Sequence, residues 1–264
     1  MKDSLGDRMK AYYEDRTRIS LMRRQYTIIR VDGKAFHTYT KGLKRPFDDE
    51  LMQDMDDTAK YLCKNIQGAK FAFVQSDEIS ILLTDFDEID TSAWFDYNVQ
   101  KMASVSSSLA TVEFNRLRWK RAMKDAVMTW QNSKDGVMNA FDKIVGKAAA
   151  FDSRVFQVPT KIEVANYMLW RQQDTTRNSI SSVAQSMYSH KELNGKNSNQ
   201  MQELIFQKGT NWNEYDAKYK RGRIMTKETY ALESGALRSR WVMVEPPVFS
   251  QEREFLNNLI PDNI

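Results

Sequence analysis

Tyr26-Thr-Ile-Ile-Arg-Val-Asp-Gly-Lys34 is a run of β-branched and aromatic residues that stops at an Asp-Gly breaker, so it reads as a buried strand ending on a carboxylate, Asp32. Phe71-Ala-Phe-Val-Gln-Ser-Asp-Glu-Ile-Ser-Ile-Leu-Leu83 answers it. Two short apolar runs, Phe71–Val74 and Ile79–Leu83, flank four residues carrying two acids, Asp77 and Glu78. That pattern predicts a β-hairpin with carboxylates at its tip. With the strands side by side, Asp32 meets Asp77 and Glu78.

The interval between Asp32 and Asp77 leaves room for a helix to cross the sheet and return the chain beside the first strand. The expected fold class is therefore α+β: a polymerase-like palm, an antiparallel sheet with hairpin carboxylates and helices packed on it, followed by a helical C-terminal elaboration. Such a layout suits phosphoryl transfer, in which charge neutralisation by two divalent ions matters more than covalent help from the protein. Hard oxygen ligands select magnesium over zinc. Asp32 and Asp77 are the expected bridging ligands. Neighbouring strand residues point to opposite faces, so Glu78 is a weaker third. Taken alone, three acids at turn tips are equally compatible with a solvated surface.

The 264 residues suffice for a substantial core, and 41% hydrophobic with 28% charged content is that of a globular protein. No apolar run approaches the roughly 20 residues of a membrane span. The start, Met1-Lys-Asp-Ser-Leu-Gly-Asp-Arg8, lacks the apolar centre of a signal peptide, so a cytoplasmic location is expected. A single cysteine, Cys63, excludes an internal disulfide and a Cys cluster for zinc, and it falls on the apolar face of a helix. Two histidines argue against a histidine metal cluster or triad, and His190 reads as ordinary surface. The net charge of +4 is mild, but basic residues gather at Arg16–Arg24, at Arg116–Lys124 with Trp119, and at Lys218–Lys227 with Tyr219. Such clusters could contact a phosphate backbone, or be solvated helix faces.

Residues 3–24 read as an amphipathic helix with Leu5, Met9, Tyr12 and Tyr13 on one side and Asp3 or Ser4 as cap. The loop from Lys34 to Asp48 is basic, aromatic and broken by Gly and Pro, which suits a triphosphate and a base. Asp48 caps a helix whose apolar positions run from Leu51 to Ile66. A long helix is expected from Trp94 to about Arg121, packing Phe95, Val99 and Met102 on the sheet and leaving Lys101 near its edge. Asn132–Gly136 reads as a turn and Val137–Ala150 is open between helix and loop. Phe151–Pro159 reads as a strand, then helices follow at about 161–173, 178–190 and 197–208, with Lys191–Gly195 a polar link, Gly209–Asn213 a turn and Tyr219–Tyr230 a basic β-like stretch. Residues 1–160 are the expected palm-like domain and 161–264 an elaboration packed on it, with no sharp boundary between them.

Taken in order, Arg-Val-Asp-Gly-Lys-Ala-Phe-His at 30–37, Arg45-Pro46 with Asp48, Ser-Asp-Glu at 76–78, Phe-Asp-x-Arg at 151–154, Trp-Arg-Gln at 170–172 and Lys-Arg-Gly at 220–222 resemble the histidine-tRNA guanylyltransferase superfamily across almost the whole chain. The resemblance implies an enzyme that extends tRNA at its 5′ end. A 5′-monophosphate is adenylylated with ATP, and the 3′-hydroxyl of a nucleoside triphosphate such as GTP then attacks the activated end; a 5′-triphosphate bypasses activation. It implies two magnesium ions on Asp32, the Gly33 carbonyl and Asp77, with Glu78 as accompanying acid. Lys34, Phe36, His37, Arg45, Asp48 and Ser76 fall at nucleotide-binding positions. Arg30, Lys101, Arg154, Asn178, Lys220 and Arg221 are expected to hold phosphates or the tRNA end, and a homotetramer is implied.

Two departures stand out. Where the guanylyltransferases proper carry His-Ile-Asn-Asn, this chain reads Thr176-Arg177-Asn178-Ser179, keeping only the first asparagine, and its Arg177-Asn178-Ser179-Ile180 is similar to the guanylyltransferase-like branch that copies a template and repairs 5′-truncated tRNA. Phe47 and Glu50 replace an Asn and an Arg beside the activation site. Besides templated 3′-to-5′ polymerisation, an untemplated guanylyltransferase and a tRNA-binding protein without catalysis remain as readings. A diguanylate cyclase would share the palm, but the chain has no Gly-Gly-Asp-Glu-Phe hairpin.

Overall fold

The alternation of side chains along a strand buries both faces of Tyr26–Gly33 (β1): Ile29 and Val31 enter one core and Tyr26 and Ile28 the other. This is seen in a computed structural model that describes residues 4–130 and 146–263. Ala69–Gln75 (β2) and Glu78–Leu83 (β3) form the expected hairpin, and its loop is only Ser76-Asp77, with Ser76 at φ 44°. A positive φ is what a two-residue hairpin loop demands. With Phe151–Val158 (β4), Arg223–Ala231 (β5) and Leu237–Val244 (β6), these strands make one six-stranded antiparallel sheet in the order β4-β1-β3-β2-β5-β6.

Helices cover both faces. On one lie Asp49–Asn65 (α3), preceded by the short turn Phe36–Tyr39 (α2), and Val99–Trp130 (α4), burying Met55, Leu62, Cys63, Met102 and Phe114 against Ile29, Val74 and Ile81. On the other, Lys161–Met187 (α5) and Arg253–Leu259 (α9) bury Val164, Met168 and Leu256 against Ile28, Phe71 and Leu82. The short helices His190–Leu193 (α6) and Ser198–Gln207 (α7) close a satellite core on the far half of α5, and Ala217–Lys220 (α8) leads into β5. Caps set the entry points: Asp48 accepts from the Leu51 amide at 2.9 Å, and Thr160 from the Glu163 amide at 3.2 Å. At the start of β5, Gly222 has φ 75°, and a Cβ there would lie 2.5 Å from the Phe73 ring, so only glycine fits. Among the described residues no helix is long and apolar enough to cross a membrane.

Several expectations need correction. The N-terminal helix (α1, Ser4–Met9) passes through a wider turn at Lys10–Glu14 and ends at Thr17 rather than near residue 24; Leu5, Met9, Tyr12 and Tyr13 are all exposed, so no core fixes a longer helix. Phe95, Asp96 and Tyr97 adopt positive φ, which stops a helix from starting at Trp94. Phe95 is exposed instead of packing on the sheet, and α4 begins only after Asn98, whose Oδ1 accepts from the Lys101 amide at 2.9 Å. The helices expected at 161–173 and 178–190 are one uninterrupted α5, since no Gly or Pro interrupts it and the ion pairs Arg171–Asp174 and Asp174–Arg177, both 2.9 Å, bridge the junction. The polar link at Lys191–Gly195 is helical up to Leu193, with a Ser189/Glu192 capping box. Of the β-like stretch, only the part from Arg223 is strand. The C-terminal elaboration is helical only in part: it supplies β5 and β6, and β5 pairs directly with β2. The turn expected at Asn132–Gly136 and most of the open Val137–Ala150 segment lie outside the described residues.

Candidate active site

Asp32 and Asp77 come together because a strand end meets a hairpin tip. Asp32 is opposite Glu78 in register, and the Gly33 amide donates to the Asp77 carbonyl at 3.1 Å. Burial pushes both carboxyls above their ordinary range, Asp77 up to about 6. Each has a negative neighbour that adds to the effect, Asp152 beside Asp32 and Asp32 beside Asp77. Nearby Arg30 opposes the rise at Asp32, and the Ser76 hydroxyl opposes it at Asp77. Both acids line an open cleft of about 710 Å³ that also meets Arg30, His37, Trp170 and Asn178.

Glu78 is engaged elsewhere. Arg171 of α5 donates to both of its oxygens at 2.8 Å, Gln75 and Ser80 donate to Oε1 at 3.1 and 3.2 Å, and Arg30 stands 4.0 Å away. The bidentate guanidinium clamps α5 onto β3 and leaves Glu78 little capacity as a third metal ligand. Among the described residues no three His, Cys, Asp or Glu side chains form a metal cage. The paired carboxylates of Asp32 and Asp77 nonetheless suit a hard cation, which would relieve the repulsion between them and complete its shell from other oxygens.

The remaining candidates divide. His37 lines the cleft with its ring 3.0 Å from the Thr38 hydroxyl, and Ser76 and Asn178 border both the cleft and a smaller hollow of about 140 Å³ beside it. Arg154 is exposed on β4, directly across from Arg30 and on the same sheet face. Phe36 is 5% exposed and wedged among Tyr39, Phe114 and Phe151; a Cβ on Gly33 would lie 2.2 Å from its ring, so Phe36 serves mainly as core and only edges the cleft. Asp48 borders the smaller hollow while both oxygens are bonded, one to the Leu51 amide and one to the Lys44 amide at 3.1 Å. Lys34 and Arg45 are exposed on the loop, and Arg221 is half-buried beyond α8. Lys101 projects from the layer covering the opposite sheet face and is not among the residues lining the cleft.

Lys220 contradicts its expected contact with phosphate. It is 9% exposed, its Nζ donates to the Asn213 carbonyl at 2.6 Å, and burial holds its pKa below the usual lysine range. Each basic cluster gives some of its cations to ion pairs of the fold: Arg118 and Arg121 hold buried Asp54, Arg23 holds Asp85, and Arg223 holds Asp56, while Arg16, Arg18, Lys120 and Lys124 stay exposed. Phe47, the departure beside Pro46, stacks on Tyr219 at 4.6 Å, and Tyr219 bonds Asp49 at 2.5 Å. Sequence reasoning assigned no role to Arg171 or Trp170. The signal was an arginine and a glutamine on the buried face of α5, where Val164 and Met168 precede them; a buried cation requires a partner.

A family model described as tRNAHis guanylyltransferase matches residues 6–159. The tRNA(His) guanylyltransferase of Saccharomyces cerevisiae is 25% identical over 217 residues, covering 77% of this chain and 83% of that protein. A bacterial tRNA(His) guanylyltransferase (Thg1)-like protein in complex with ATP superposes with a TM-score of 0.81 at 43% identity, covering 98% of this chain and 99% of that one. The structure of such a bacterial protein in complex with GTP gives 0.77 at 41% identity, over 97% and 99%. Matched over more than half its length by the family model and along nearly all of it by the bacterial structures, the chain belongs to the tRNAHis guanylyltransferase family.

Proposed function

We propose that this nucleotidyltransferase adds nucleotides to the 5′ end of truncated tRNA in the 3′-to-5′ direction, each chosen by pairing with a template. The observation that carries the reading is the meeting of Asp32 and Asp77 at the floor of an open cleft edged by arginine. Asp32, the Gly33 carbonyl and Asp77 would hold magnesium, two ions in the full assembly. When bound, these supply charge neutralisation for the triphosphate and activation of the attacking hydroxyl.

The chain's own residues do the positioning. Arg30 and Arg154, neighbours across β1 and β4, hold phosphates of the RNA end; forked guanidinium groups suit that task. The loop carrying Lys34, His37 and Arg45 receives ATP for 5′-adenylylation and the incoming nucleotide, GTP among others. The complexes of the bacterial relatives with ATP and with GTP support this reading. Template dependence rests on Arg177-Asn178-Ser179-Ile180, in which Asn178 lines the cleft while Ser179 is buried beneath Trp212, accepting from its indole at 3.0 Å. A cytoplasmic homotetramer is the working assembly. The names of the curated relatives favour a second reading, untemplated addition of guanylate to histidine tRNA.

The test uses a 5′-labelled tRNA lacking its first nucleotide, with magnesium, ATP and each nucleoside triphosphate in turn, varying the opposing base. Addition of only the complementary nucleotide is expected. Guanylate addition regardless of template would establish the second reading, and no transfer even from a 5′-triphosphate would leave an RNA-binding protein. Asp32→Ala and Asp77→Ala should each abolish transfer while RNA binding stays nearly unchanged, since the carboxylates serve the metals.

A further inference from the structure

Trp170, at 47% exposure, lines the same cleft as Arg30 and the two acids, although a single exposed aromatic is ordinary in itself. Its surroundings are not ordinary. The Arg171 guanidinium lies 4.3 Å from the centre of the indole, and the Tyr167 ring meets it edge-on at 5.8 Å. Arg171 is itself fixed by both Glu78 oxygens at 2.8 Å, so the indole is braced against the hairpin that carries Asp77. Tyr167 is held in turn by the Ser80 hydroxyl at 2.9 Å. A rigid indole beside cations in an open cleft is the arrangement that binds nucleobases by stacking, because every base offers a π face.

We propose that Trp170 is a stacking platform for a nucleobase and so aligns a substrate with Asp32 and Asp77. The inference rests on the nucleotidyl-transfer reading above. The base belongs either to the RNA 5′ end or to the nucleoside triphosphate, and the two are separated by experiment.

Trp170→Ala and Trp170→Phe are compared with the parent protein for thermal unfolding, for Kd toward a 5′-phosphorylated stem-loop RNA and toward ATP, and for transfer. The alanine variant should keep its melting temperature, bind one of the two ligands about 5- to 100-fold more weakly, and raise KM for that ligand more than it lowers kcat. The phenylalanine variant should recover most of the loss. A defect confined to RNA assigns the base to the 5′ end; one confined to ATP assigns it to the nucleotide. Unchanged Kd and KM for both ligands in an active protein would overturn the proposal, as would a loss that phenylalanine does not repair. If the parent protein itself transfers nothing, the proposed function fails, while the two Kd measurements still decide the stacking.

Discussion

At the scale of single residues, Asp77 is the most informative group. Its carboxyl is pushed up to about 6, chiefly by burial, so the folded protein keeps this proton to higher pH than the unfolded chain does. Stability from this group is therefore present below about pH 4 and is lost as pH rises through 6. Asp77→Asn should raise the unfolding free energy of cation-free protein by about 3 kcal/mol at pH 8 and hardly at all near pH 4. Denaturant unfolding with a chelator present checks it; an equal gain at both pH values would mean that charge is not the cause. The meeting of Asp32 and Asp77 was legible in the sequence because each sits on a local signal, a strand end and a hairpin tip. The clamp on Glu78 and the burial of Lys220 were not legible in the same way, because they depend on tertiary contacts. Arg171 is 93 positions from Glu78, and the contact of Lys220 with Asn213 depends on how α8 folds back. No spacing rule reports either contact.

Among the elements, α5 ties the site together, since its Arg171 secures the hairpin and its Trp170 and Asn178 face the cleft. Arg171→Met would leave Glu78 buried with only Arg30 at 4.0 Å as a cation, and should cost about 3–5 kcal/mol of stability. Denaturant unfolding would show it, and a loss below about 1 kcal/mol would mean that Arg30 moves in to compensate. The strands β1 to β4 and the helix α3 were readable because both periodicity and breakers mark them. β6 was not, because the first half of Leu237–Val244 is exposed and, after Leu237, polar, so no apolar alternation announces it. The unity of α5 was hidden for a related reason: its middle carries Arg171, Gln172 and Asp174, whose burial and pairing are tertiary facts.

For the whole molecule, the decisive feature is that the last third of the chain enters the same sheet as the first. β5 seals the outer edge of β2, and Phe249, Leu256 and Ile260 complete the core beneath α5. Removing residues 222–264 should therefore leave a protein that loses cooperative unfolding, not an active smaller enzyme. Circular dichroism melting and limited proteolysis would show this, whereas a sharp transition with retained transfer would mark residues 1–221 as self-sufficient. The same strand order bears on biosynthesis. Roughly 150 residues separate the end of β2 from the start of β5, so at about 5–20 residues per second a ribosome takes about 7–30 s to deliver the strand that covers that edge. Throughout that interval the edge of β2 is an open template for pairing with neighbouring chains on a polysome, and shielding of that edge during translation would favour the native state.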